Sequence, residues 1–222
     1  TGRLAPLGER LASAGFTVKI PRLPGHGSNL PDLLLATWKD WVRRAIDEYL
    51  DLKDRSDTVY LAGSSMGSVL ATIVAAQFNV ERIALLAPAF FANNPFLRLA
   101  PLLHPLIPRI PSDWDAANDP DPNAGPIGRE YKSHGHVRSA AQLAVLQRVG
   151  RRALKRLESD TLVIVSTADE AVPIRVADYI TRTAPSRALE TLTLHKSGHQ
   201  IVQGVEGKVA CDAVVRWFTE ER

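Results

Sequence analysis

Val59-Tyr60-Leu61-Ala62-Gly63-Ser64-Ser65-Met66-Gly67-Ser68-Val69-Leu70 sets an apolar, β-branched and aromatic run before a Gly-x-Ser-x-Gly, and an apolar helical pattern after it. Strand, sharp turn and helix in that order lift the five-residue motif above a chance Gly/Ser loop. The turn predicts that Ser65 sits at a strained bend with its hydroxyl aimed away from the sheet. Gly63 and Gly67 are expected to remove Cβ atoms that would collide with neighbouring strand and helix. A helix starting at Ser65 also aims unpaired N–H groups and its positive dipole end at any negative charge forming there.

Upstream of this stretch, Leu4, Leu7, Leu11 and Ala14 recur at helical spacing and stop at Gly15. Phe16–Ile20 reads as a strand, followed by the loop Pro21-Arg22-Leu23-Pro24-Gly25-His26-Gly27-Ser28. Trp38, Trp41, Val42, Ala45, Ile46 and Tyr49 make an amphipathic helix with Thr37 as N-cap. Downstream, the strand at Val59–Ala62 leads into a helix over Met66–Gln77, which is apolar nearly all round and so expected to be buried. Arg82–Leu86 is a further strand. Then the composition changes: nine of the fifteen prolines fall between Pro88 and Pro126, among many Leu and Phe residues. That much proline forbids long regular elements, yet so much apolar area has to be covered. Residues 89–158 therefore read as an insertion, closing with a helix from about Ser139 to Leu157. Strand Leu162–Ser166, helix Arg175–Thr183, strand Leu189–Leu194 and a final helix over Val209–Phe218 restore the alternation. The pattern predicts an α/β fold: a doubly wound, mostly parallel sheet, with core residues 1–88 and 159–222.

Composition bounds the function. The 222 residues are 45% hydrophobic and 23% charged, with no run long enough to span a bilayer and no apolar leader opening the chain. Cys211 is the single cysteine, which excludes an intrachain disulfide and fits a cytoplasmic location. The net charge of +3 comes from Arg148, Arg151, Arg152, Lys155 and Arg156, without which 27 basic and 24 acidic residues would leave a negative balance. Their helical spacing reads as a solvated face, not as a nucleic-acid surface, which would interleave aromatic residues. His134 and His136 lack further ligands at metal-binding spacing and are expected to face solvent. No cofactor or metal is expected, and a homodimer stays open as the assembly state.

In a parallel sheet, functional groups collect at the carboxyl ends of strands. Ser65, Asp169 and His199 each follow a strand, in that order. A serine hydroxyl needs a base to become a nucleophile; an imidazole supplies it, and a carboxylate fixes the imidazole tautomer. His195, Asp160 and Asp178 are weaker alternatives by position, and Ser64 occupies the wrong place in the motif. Around these three, the chain resembles the α/β-hydrolase superfamily, and within it the bacterial carboxylesterases and monoacylglycerol lipases with a small cap. The resemblance rests on Gly63-Ser64-Ser65-Met66-Gly67, Asp169-Glu170-Ala171-Val172-Pro173, Ser197-Gly198-His199 and Pro24-Gly25-His26-Gly27. It implies a serine ester hydrolase acting on short to medium chain esters or lipids, with residues 89–158 as a cap. Ser65 is the implied nucleophile, His199 the base, Asp169 its orienting acid, and the Met66 N–H half of an oxyanion hole. Gly25, His26 and Gly27 form a supporting loop. Thioesterase, acyltransferase and C–C hydrolase reactions on the same triad stay open, as does a slow-turnover binding protein.

The resemblance also implies a second oxyanion donor in a loop after an earlier strand, where losing one donor costs roughly 3 kcal/mol. Thr1-Gly2-Arg3 resembles the tail of that loop, without the strand and His-Gly that precede it in relatives. That strand lies in relatives between Phe16–Ile20 and Val59–Ala62, so the sequence predicts one to three further strands upstream of Thr1.

Overall fold

The computed structural model describes residues 2–111 and 134–220. Its main sheet is parallel throughout, with strands β1 (Leu61–Ser64), β2 (Arg82–Leu86), β5 (Asp160–Ser166) and β6 (Leu189–Leu194) in the order β1-β2-β5-β6. Register is continuous: Gly63 lies opposite Leu85, Leu85 opposite Val163, and Val163 opposite Thr191. Between the central pair fall β3 (Arg109–Pro111) and β4 (His134–His136), a small antiparallel pair.

Alternation along the strands creates two cores. Ile83, Leu85, Val163 and Val165 face one layer, built from α3 (Trp38–Lys53), α4 (Met66–Phe78), α6 (Val137–Leu154) and α7 (Val176–Thr183). Ala84, Leu86, Leu162 and Ile164 face the other, where α1 (Ala5–Ser13) and α8 (Gly207–Thr219) pack. Two short helices, α2 (Leu30–Leu35) and α5 (Ala100–Leu103), lie outside these layers. Sequence dictates these faces. Helix α4 has no polar stripe, and Ser68 through Ala75 are all buried, as its composition predicts. Its two buried hydroxyls are satisfied locally, Ser68 Oγ by the Gly63 and Leu86 carbonyls and Thr72 Oγ1 by the Ser68 carbonyl. At the start of α3, the Asp40 carboxylate accepts from both the N–H and the hydroxyl of Thr37. Arg82, buried at the foot of β2, donates to the carbonyls of Trp217 and Glu220 at the end of α8. A cation is favoured there by the free carbonyls of the last turn.

Four expectations need correcting. Phe16–Ile20 forms no strand. The segment runs beside β1 without ladder bonds, anchored at one end by Phe16, whose ring meets Tyr60 and Phe218 edge-on with centroids 6.3 Å away. A cavity of about 460 Å³ separates it from β1, lined by Val18 and Ile20 on one side and Tyr60 to Gly63 on the other. A five-residue extended segment becomes a strand only through a partner, and among the described residues none lies within reach. Gly67 borders the same cavity, and a Cβ there would meet nothing within 4 Å, so no neighbour demands glycine at that position.

The third correction concerns His136, which is buried, at the junction of β4 and α6, beside the cluster of Val137, Ala100 and Ala141. The fourth is Arg151, one of the basic stripe: it is half-buried, donates to the Phe90 carbonyl at 2.7 Å and lies over the Phe91 ring. Leu146, Ala153 and Leu154 of α6 join the main core, and Arg151 on the same helix is drawn inward with them. Gly150 makes that approach feasible, because a Cβ there would lie 2.3 Å from a Val69 methyl.

Candidate active site

Strand β1 ends at Ser64 and α4 begins at Met66, so the whole reversal falls on Ser65. Its φ of 54° and ψ of −119° place it in a region that non-glycine residues rarely occupy. The bend persists because its surroundings over-determine it. Ser65 N–H donates to the Leu86 carbonyl at 2.8 Å, and the Ser65 carbonyl accepts from Ala89 N–H at 3.2 Å and Ser68 N–H at 3.1 Å. Gly63 has no alternative at this bend: a Cβ would lie 2.2 Å from the Gly67 carbonyl oxygen. As the first residue of α4, Met66 has an N–H that the helix itself leaves unpaired, next to the Ser65 hydroxyl and at the positive end of the helix dipole.

Asp169 and His199 arrive from the ends of β5 and β6. His199 Nε2 lies 2.8 Å from Ser65 Oγ, and its Nδ1 lies 3.0 and 3.1 Å from the two Asp169 carboxylate oxygens. With Nδ1 donating to the carboxylate, Nε2 is left as the acceptor facing the serine hydroxyl. Asp169 is deeply set, its side chain 2% exposed. Burial alone would raise its carboxyl, but the His199 hydrogen bond, the Val172 N–H, the charge of a protonated His199 and the Ala171 N–H together hold it below the ordinary value. It is therefore an anion throughout the neutral range.

Both loops are themselves held, by residues the sequence reading passed over. Glu206 accepts from three consecutive backbone N–H groups, those of His195, Lys196 and Ser197, at 2.7–3.2 Å, while its own N–H donates to Ser197 Oγ. These bonds depress the Glu206 carboxyl to about 2. On the other loop, the N–H and side-chain amide of Asn93 donate to the Ala171 and Glu170 carbonyls, and a Glu170 carboxylate oxygen accepts the His199 N–H. Sequence periodicity carries no trace of these contacts, because their partners are backbone groups.

The Gly25–His26–Gly27 loop is rigid in its own right. Gly25 and Gly27 have φ of 79° and 67°, and a Cβ on Gly25 would lie 2.8 Å from the Leu33 Cα. His26 Nδ1 and Trp41 Nε1 both donate to the Pro24 carbonyl, and burial lowers the His26 imidazole below its usual value. Among the described residues, this loop makes no hydrogen bond to Ser65, Asp169 or His199. Of the alternatives, His195 lies near Thr167 (Oγ1 to Nδ1, 3.4 Å), while Asp160 begins β5 and Asp178 sits within α7. No group of three or more His, Cys, Asp or Glu side chains suited to a metal occurs among the described residues.

A serine, an imidazole and a carboxylate in a linear relay at strand ends recur on several folds, so sequence relationships decide the lineage. A family profile described as the alpha/beta hydrolase family matches residues 2–210. The chain belongs to the α/β-hydrolase family. Within this family it is 30% identical over 196 residues to a thermostable monoacylglycerol lipase of Bacillus sp. (strain H-257), spanning 88% of this chain and 76% of that protein. A solved structure from work on LipS and LipT, two metagenome-derived lipolytic enzymes, superposes with a TM-score of 0.83 at 25% identity, covering 96% of this α/β hydrolase and 87% of its counterpart. The monoacylglycerol lipase of Paleococcus ferrophilus shares the fold at a TM-score of 0.74 and 18% identity, over 98% and 88% of the two chains.

Proposed function

We propose that this α/β hydrolase is a carboxylic-ester hydrolase that works through an acyl-enzyme at Ser65. The observation that carries the proposal is the unbroken contact from Ser65 Oγ through the His199 ring to Asp169. Ser65 Oγ attacks the ester carbonyl carbon while His199 Nε2 takes its proton. The tetrahedral oxyanion sits against the Met66 N–H, and Asp169 stabilises the imidazolium. Collapse breaks the acyl–oxygen bond, and His199 returns the proton to the departing alcohol. A water molecule then repeats the sequence on the acyl-enzyme, releasing the acid and restoring Ser65.

Two features support an ester with an apolar acyl chain, in the monoacylglycerol lipase manner. The Bacillus relative is a monoacylglycerol lipase. Residues 89–158, read as a cap, also expose Phe96, Leu102 and Leu106 at 68%, 75% and 81%. Side chains this apolar and this exposed suit contact with acyl chains. All three triad residues come from one chain, so a homodimer adds nothing to the chemistry.

The test is a panel of p-nitrophenyl esters of graded chain length and a 1-monoacylglycerol, set against thioester and diketone substrates. The expected result is preferential ester turnover that disappears in Ser65→Ala. Faster cleavage of the thioester or the C–C bond would overturn the ester assignment.

A further inference from the structure

Away from the triad, a cavity of about 170 Å³ opens between the chain after β2 and helix α6. Three arginines line it, Arg98, Arg148 and Arg151, together with Gln147, Asn94 and Phe91. No carboxylate lines it among the described residues, and none of the three guanidinium groups has an ion pair there. Gln147 is only 5% exposed, and its Nε2 is buried without a hydrogen-bond partner. Such a group costs roughly 1–3 kcal/mol unless something accepts from it.

Arg151 is fixed in place by its bond to the Phe90 carbonyl and by the Phe91 ring beneath it. Burial lowers its guanidinium, Tyr179 works in the opposite direction, and the charges of Arg98 and Arg148 lower it further. Three like charges around one small cavity repel one another, and an anion between them turns that repulsion into attraction. The donors outnumber what one carboxylate accepts: each guanidinium is a planar fork, and the amide adds another N–H. Drug-sized ligands need about 300–1,000 Å³, so the space suits a compact tetrahedral ion.

We propose that this cavity is a binding site for a phosphoryl oxyanion, either inorganic phosphate or the phosphate end of a small phosphomonoester, held by Arg98, Arg148, Arg151 and the Gln147 amide. Arg98 and Arg148 are exposed, so replacing either leaves the fold intact. The experiment is isothermal titration of the full chain with inorganic phosphate, glycerol 3-phosphate and acetate, with circular dichroism on each variant. One phosphate per chain is expected, weakened about tenfold or more by Arg98→Ala and by Arg148→Ala. Gln147→Leu, which keeps the charge, also weakens binding without lowering the melting temperature. Arg156→Ala, two residues past the end of the same helix and outside the cavity, leaves it unchanged. Tighter binding of glycerol 3-phosphate than of phosphate assigns the phosphomonoester as the source; the reverse assigns the free ion. Absence of binding at millimolar phosphate, acetate binding as tightly as phosphate, or an equal loss in Arg156→Ala would each overturn the proposal.

Discussion

The two flanks of β1 are built in opposite ways. Toward β2, every backbone position is paired, and the bend at Ser65 hangs from that side: its N–H on the Leu86 carbonyl, its carbonyl on Ala89 N–H, and Ser68 Oγ bridging Gly63 and Leu86. Toward Phe16–Ile20 there is no ladder, only an aromatic anchor and a cavity of about 460 Å³. The hydrogen bonds that fix the turn at Ser65 come from Leu86 and Ala89 on the paired flank and from Ser68 in α4, and none comes from Phe16–Ile20. Substitutions on the paired flank and its loops should therefore be felt at the site. Those on the open flank should not.

The largest effect is expected where the loops beyond the paired flank converge. Asp169→Asn keeps the shape but removes the charge that orients His199 Nδ1, and kcat should fall about 10⁴-fold with KM little changed in steady-state assays. Next is Gly63→Ala, whose methyl would overlap the Gly67 carbonyl. A loss of about 3 kcal/mol or more is expected in urea unfolding, since only backbone movement relieves the overlap.

Glu206→Gln comes third. It keeps the shape of the clamp on residues His195, Lys196 and Ser197 but not its charge, and should lower kcat by about tenfold through displacement of His199. Its pH signature has a fixed sign. The Glu206 carboxyl is depressed from 4.5 to about 2, so its stabilisation is complete above pH 4.5 and is lost as pH falls through about 2. The wild-type melting temperature should drop across that window, and Glu206→Gln should flatten the drop. The smallest effect belongs to the open flank: Gly67→Ala meets nothing within 4 Å and should change stability by less than about 1 kcal/mol. A large loss there would mean that the flank is more tightly built than its cavity implies.

The same contrast explains what the sequence disclosed. Leu162–Ser166 is legible because a fully apolar run between turns has one good fate, a central parallel strand, and β5 is that strand with neighbours on both sides. Phe16–Ile20 carries a comparable local pattern, yet a strand is a property of a pair, and pairing is not encoded in five residues. Ser65, Asp169 and His199 were readable because topology puts strand ends together and each side chain has its own chemistry. Glu206 was not, since it recognises backbone N–H groups that look alike at every position. His136 and Arg151 misled for a related reason: polarity says what a side chain prefers, while the packing of α6 into the core and the pairing of β4 decide where it goes.

The central claim is that Ser65 is an activated nucleophile. Incubating the full chain with a fluorophosphonate and locating the adduct by mass spectrometry tests it most directly. A single adduct on Ser65, formed slowly or not at all in His199→Ala, is the predicted result. No adduct on the wild-type chain, or one on Ser64 instead, would contradict it.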